Sequence, residues 1–163
     1  MPLNIRRIVS FAFLLITIAF SVTTVQTTRL YFQAYTCVRN LNVDIQEFNV
    51  DISNISHAFT ETILVVQNPS ECMFKVLYVV ERLELEGQFI SVDGIYMWAK
   101  PLEIPPQSNA TVTLELNIDH DQIQYVRTRM EDYWFMEIRM LINGLLVGNF
   151  MYDSWFTTKI TNL

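Results

Sequence analysis

The apolar positions of this chain fall into two regimes. Residues 8–25, "IVSFAFLLITIAFSVTTV", are apolar and uncharged over 18 positions, about the shortest run that spans a bilayer as a helix. From Leu41 onward the period is two, the pattern of strands with one buried face. Leu41, Val43 and Ile45 alternate with polar residues, and the phase then flips to Phe48, Val50 and Ile52. The flip predicts a bulge near Gln46 and Glu47, or a change of sheet.

A second strand is predicted in "AFTETILVVQN", with Phe59, Ile63 and Val65 on one face. A long third strand follows in "MFKVLYVVERLELEG". Leu77, Val79, Leu83 and Leu85 share one of its faces, and Arg82, Glu84 and Glu86 point the other way. Asn68 and Pro69 stand between the two strands. Pro cannot donate to a ladder but pre-sets φ for a turn, and the side chains of Asn68 and Ser70 can cap it, so a tight corner is expected. Gly87 ends the long strand, Asp93-Gly94 reads as a further turn, and "IYMWA" as a short strand. "PLEIPPQSNA" is a Pro-rich connection. In "ATVTLELNI", Ala110, Val112, Leu114, Leu116 and Ile118 point inward and Thr111, Thr113, Glu115 and Asn117 outward.

One segment leaves the period of two. Ile123, Val126 and Met130 recur at helical spacing, with Asp119 or Asp121 as N-cap, and predict a short surface helix. "YWFMEIRMLI" returns to strand with Trp134, Met136, Ile138, Met140 and Ile142 on one face. Asn143-Gly144 is the strongest hairpin signal in the chain, and "LLVGNFMY" and "WFTTKIT" supply the last strand or two. Seven or eight short strands joined by turns predict a mainly β antiparallel sandwich with one short helix, preceded by a transmembrane helix. The expected division is an anchor over 1–35 and one domain over 38–163.

Three readings fit the N-terminal segment. The preferred one is a retained signal anchor. A cleaved signal peptide should have a shorter apolar region and a small-residue cleavage site. A buried core helix would need cover from a domain already rich in strands. Thr17, Ser21, Thr23 and Thr24 are compatible with a span because hydroxyls bond back to the helix backbone. Arg6 and Arg7 before the block predict a cytoplasmic N-terminus and the remainder outside, at the cell membrane. Arg29, Tyr31, Phe32 and Tyr35 form an interfacial belt on the far side.

Composition narrows the partners. All 17 acids and nine of the 11 bases follow the apolar block, and the net charge of −6 argues against nucleic acid. Half of the chain is apolar and only 4 Gly and 5 Pro occur, so it is not low-complexity. Cys37 and Cys72 permit one disulfide or two thiols, and their spacing fits no zinc pattern. Asn54 and Asn109 head glycosylation sequons.

The order of the short motifs carries a resemblance. Asn68-Pro69 closes an apolar strand, a strand runs on to Gly87, and Ile104, Pro105, Pro106 and Ser108 precede the alternating strand. In this the chain resembles the water-stress-hypersensitivity domain, also called the late embryogenesis abundant type 2 domain, in its membrane-tethered archaeal or plant form. The likeness covers roughly residues 38–160. It implies an immunoglobulin-like sandwich of about seven strands with one helix, no active site, and a stress-protective or interaction role. The anchor and the aromatic content, 11 Phe, 7 Tyr and 3 Trp, depart from the simplest soluble members.

Catalytic chemistry has little to stand on. His57 and His120 are the two histidines. His120 sits between Asp119 and Asp121, where a solvated helix start is the plainer reading than a metal site. No phosphate loop, Ser elbow or His-Cys pair is present. Glu81, Glu84 and Glu86 read as an exposed face. No catalytic residue, metal, cofactor or small-molecule substrate is therefore expected. "YWFMEIRM" and "FMYDSWF" are apolar on both faces in places, which makes Tyr133, Phe135, Tyr152, Trp155 and Phe156 the candidate partner surface. The expected partners are the lipid bilayer and other membrane protein subunits. The leading functional expectation is an anchored accessory or structural subunit. A tethered desiccation- or osmotic-stress domain and an apolar-ligand or lipid binder are the alternatives.

Overall fold

The computed structural model describes residues 5–53 and 58–160. Its first element is a single helix, α1 (Ile5–Arg39), about 52 Å long at the usual rise. Among the described residues it is the one helix long and apolar enough to cross a membrane. The hydroxyls of Thr17, Ser21, Thr23 and Thr24 donate to carbonyls three or four residues back at 2.8–3.1 Å, so these four hydroxyls are satisfied within the helix. Almost the whole helix stands clear of the protein. Only its last turns touch the domain, through buried Ala34 and Cys37 and the partly buried Val38.

Eight strands follow: β1 (Asn42–Asp51), β2 (Phe59–Asn68), β3 (Phe74–Leu85), β4 (Gln88–Tyr96), β5 (Leu102–Ile104), β6 (Ser108–Asn117), β7 (Trp134–Gly144) and β8 (Gly148–Thr158). The short helix α2 (Ile123–Arg129) lies between β6 and β7. The strands build two antiparallel sheets. One has the order β1-β2-β6; the other runs β4-β3-β7-β8, with β5 beside β4 along the same edge of β3. The sheets pack face to face over a core that includes Phe48, Leu64, Phe74, Leu114, Trp134 and Met136. Phe48 and Trp134 meet edge to face, with ring centroids 5.2 Å apart.

Much of this follows the predicted pattern. The β1 register shifts between Ile45 and Glu47, where the phase flip placed a bulge. The inward set of β6 is the predicted one, and α2 buries Ile123 and Val126. Other features differ, each for a local reason. Phe59, Ile63 and Val65 do share a face of β2, but it is the outer one. The buried face carries Ala58, Thr60, Thr62, Leu64, Val66 and Asn68. Leu77 falls at a register shift between Val76 and Tyr78 and is only partly buried, so Phe74 and Val76 point inward before it and Val79 onward after it. Asp93-Gly94 is not a turn but lies inside β4, paired with Glu81 and Val80. Gly94 is required by crowding, since a Cβ there would strike the Val79 carbonyl oxygen and meet Val80 Cγ2 at 2.9 Å. "IYMWA" is therefore the end of β4 and the turn beyond it. The Pro-rich connection contains β5. Neither Asp119 nor Asp121 caps α2: the N-cap position is Gln122 and no side chain caps it.

Candidate interaction surfaces

The helix foot is built around the corner between β2 and β3. Asn68 is buried there, and its amide nitrogen donates to the carbonyls of Cys72 (2.7 Å), Pro105 (2.9 Å) and Ile104 (3.2 Å). Two hydrogens serve three acceptors, so one is shared. Its amide oxygen accepts from the Ser70 hydroxyl at 2.6 Å and the Ser70 N–H at 3.2 Å. Pro69 needs no donor partner, and the Gln107 N–H closes the loop onto the Ser70 carbonyl at 3.0 Å. One side chain thus joins the end of β2, the start of β3 and the β5–β6 connection. Cys37 lies in the last turn of α1, not in a loop before β1, and is bonded to Cys72 with Cα atoms 5.9 Å apart. Two clefts flank the helix at this end. One of about 740 Å³ lies between Arg29, Phe32 and Gln33 on the helix and Pro69, Glu71 and Leu146 on the domain. The other, about 460 Å³, runs along Thr27, Leu30, Ala34 and Val38, with Leu146 and Val147 as its far wall.

The outer face of the larger sheet is a second surface. Cross-strand register places Tyr96, Tyr78, Leu141 and Met151 in one row, beginning on β4 and ending on β8. Trp98 joins it with its ring 6.2 Å from Tyr78, and the Tyr78 hydroxyl donates to Met151 Sδ at 3.2 Å. Tyr96 and Trp98 are 68% and 56% exposed. The next rows away from the helix are charged: Arg139 pairs with Glu137 and lies 3.7 Å from Asp153, and Arg82 pairs with Glu84 at 2.6 Å. An aromatic and methionine strip bounded by ion pairs is the anatomy of a contact surface.

The sequence-predicted partner residues divide between two faces. Phe135 and Trp155 are on this outer face, their rings 5.4 Å apart, and Tyr133 is exposed beside them under the Lys159 ammonium. Tyr152 and Phe156 point the other way and pack on the core, because β8 alternates strictly and both share the parity of Phe150. Burial pushes the Tyr152 hydroxyl up, with hydrogen bonds to Ser154 and the Val43 backbone pulling the other way. They are withdrawn from the surface. Tyr78, Tyr96 and Leu141 were missed, although Tyr78 shares the outward parity of Arg82 and Glu84. Asn109 is exposed on β6. Asn54 and His57 lie outside the described residues.

The acidic residues of β3 are not one exposed set. Glu84 faces outward and Glu86, at φ +50°, lies in the turn just past the strand, but Glu81 shares the parity of Val79, Leu83 and Leu85 and is fully buried between the sheets. The Thr62 hydroxyl donates to its Oε1 at 2.7 Å; Oε2 and the nearby strand's Thr60 Oγ1 find no partner among the described residues. Burial pushes the Glu81 carboxyl up to about 7, opposed by the Thr62 hydrogen bond. At the exposed edge, the Lys75 ammonium 2.8 Å from Glu103 holds that carboxyl below its ordinary range. Among the described residues no three His, Cys, Asp or Glu side chains converge as a metal site would require.

No family model and no curated protein matches the chain in sequence. Solved structures do match its fold. The structural-genomics target SoR45 aligns at 12% identity and TM-score 0.54, over 76% of this chain and 88% of that one. An Arabidopsis thaliana protein solved in solution aligns at 13% and 0.55, over 72% and 80%. An ApaA candidate from Bordetella pertussis aligns at 9% and 0.51, over 76% and 96%. A late-embryogenesis-abundant candidate, also solved in solution, aligns over 90% and 89% at 9% identity and TM-score 0.43. The three likenesses with a TM-score above 0.5 are of fold.

Proposed function

We propose that this protein is a non-enzymatic accessory or structural subunit of a membrane assembly. It is a single-pass anchored sandwich of the late-embryogenesis, immunoglobulin-like type, with its N-terminus cytoplasmic and its domain outside. The observation that carries the reading is the row Tyr96, Tyr78, Leu141 and Met151 with Trp98, an apolar strip on the outer face of a sheet whose other face already has a full core. A sandwich needs one apolar face per sheet, and a second one is expected to be covered by a partner. The orientation draws on Arg6 and Arg7 ahead of the apolar block, and on a disulfide that suits an oxidising compartment.

The test is native electrophoresis of mild-detergent extracts, with comigrating chains identified by mass spectrometry. The expected result is a discrete band far heavier than 19.1 kDa, with constant partners, that Trp98→Glu with Met151→Glu disperses. Migration of the wild-type chain alone would sink the subunit reading.

A second reading has its own support. The Asn68 hub occupies the position of the Asn-Pro motif on which the late-embryogenesis resemblance rests. A tethered stress-protective domain would show abundance rising under desiccation or osmotic stress, with no fixed partner.

A further inference from the structure

The turn between β7 and β8 is made of the wrong residues for water. Leu145, Leu146 and Val147 form it, closed by the Val147 N–H on the Gly144 carbonyl at 3.1 Å and by Gly148 at φ +74°. Three-residue hairpin loops of this kind need Gly at the left-handed position, which Gly148 supplies. The other positions usually carry polar turn formers. Here Leu145 is 92% exposed and Leu146 47%.

The tip's position identifies its cover. Leu146 and Val147 wall the cleft that runs along α1 from Val38 to Thr27. Eleven residues of helix separate those two, roughly 16 Å. Thr27 and Leu30 lie two and five residues past Val25, the last residue of the apolar block. That is about 3 and 8 Å along the axis. A bilayer's polar layer is about 5–8 Å deep on each side of its hydrocarbon. The membrane-side end of the cleft therefore lies within the headgroup layer whenever residues 8–25 span, and the tip that walls the cleft faces that layer. Tyr31 and Phe32, both exposed, follow about 9 and 11 Å past Val25, at the outer edge of that layer, where amphipathic rings are favoured.

We infer that the Leu145–Leu146–Val147 tip is a second membrane contact, dipping into the headgroup and acyl boundary of the leaflet from which α1 emerges. Anchor and tip would hold the domain at two points, fixing the height and azimuth of its outer strip over the membrane. The inference rests on the anchored reading of α1.

The experiment uses the full chain in dioleoylphosphatidylcholine vesicles, with and without a dibrominated phosphatidylcholine. Tryptophan is added at one site at a time, and the wild-type spectrum subtracted to remove Trp98, Trp134 and Trp155. Leu145→Trp should emit at shorter wavelength than His120→Trp at the opposite end, and should lose emission in brominated lipid while His120→Trp does not. Phe13→Trp reports the anchor separately. Loss at Phe13→Trp without loss at Leu145→Trp overturns the tip and keeps the anchor. Loss at neither overturns the anchored reading itself. A Leu145→Trp signal shielded from both bromolipid and aqueous iodide would mean that protein covers the tip, which also overturns the proposal.

Discussion

Glu81 should make this protein less stable as pH rises through the neutral range. The unfolded chain holds the carboxyl near 4.5, and the folded protein near 7. Between those values the folded state binds the extra proton, so unfolding free energy falls with increasing pH. The contribution is whole below about 4.5, declines through the interval and is gone above about 7. At 1.36 kcal/mol per pH unit the swing is about 3 kcal/mol. Glu81→Gln keeps the acceptor for the Thr62 hydroxyl and removes the charge. The assay is guanidinium unfolding of the full chain in detergent micelles at several pH values, with the disulfide intact and buried Trp134 as fluorophore. The variant should match the wild type at pH 4.5 and exceed it by up to about 3 kcal/mol at pH 8. Parallel wild-type and variant profiles would refute the argument, because they would mean that Glu81 is hydrated or paired when charged. Subtracting the variant removes the background from Glu103, whose lowered pKa acts with the opposite sign.

Three further outcomes follow from the helix foot and from β4. Asn68→Ala strands the Cys72, Ile104 and Pro105 carbonyls and should cost about 2–4 kcal/mol by denaturant titration. Gly94→Ala drives a methyl into the Val79 carbonyl and should cost about 1–3 kcal/mol, visible as a lower thermal midpoint. Cys37→Ser with Cys72→Ser opens a loop of sequence separation 35 and should lose up to about 4 kcal/mol on the chain-entropy estimate. In that variant, protection from amide exchange should fall first in the last turns of α1.

The elements legible in the sequence are those where one face is apolar and the other is not. β6 alternates cleanly, and the phase flip in β1 marks its bulge at a single residue. β2 resists the same reasoning because Phe59, Ile63 and Val65 match Leu64 and Val66 in hydropathy, and the inward Thr60 and Thr62 pass for polar. Glu81 was legible by parity with Val79 and Leu83, but a carboxyl is expected outside, and that expectation outweighed the period. Asp93-Gly94 and Asn143-Gly144 carry turn composition. The first serves a close backbone approach inside β4, and the second ends β7 one step before the turn. The strip on the larger sheet needed the register itself, since Tyr96, Tyr78, Leu141 and Met151 come from four strands and become neighbours only through pairing.

The bond between Cys37 and Cys72 also decides how the domain meets a mechanical load. Without it, tension from the membrane would enter through Arg39 into β1, an edge strand held on one side only. An edge strand pulled from its end peels off one hydrogen bond at a time. The disulfide diverts the tension to Cys72, two residues before β3, a strand flanked by β7 on one side and by β4 and β5 on the other. Pulled there, the larger sheet must yield along whole strands together. The helix foot is thus a strain relief, placed so that tugging on the tether loads the most heavily bonded strand in the fold.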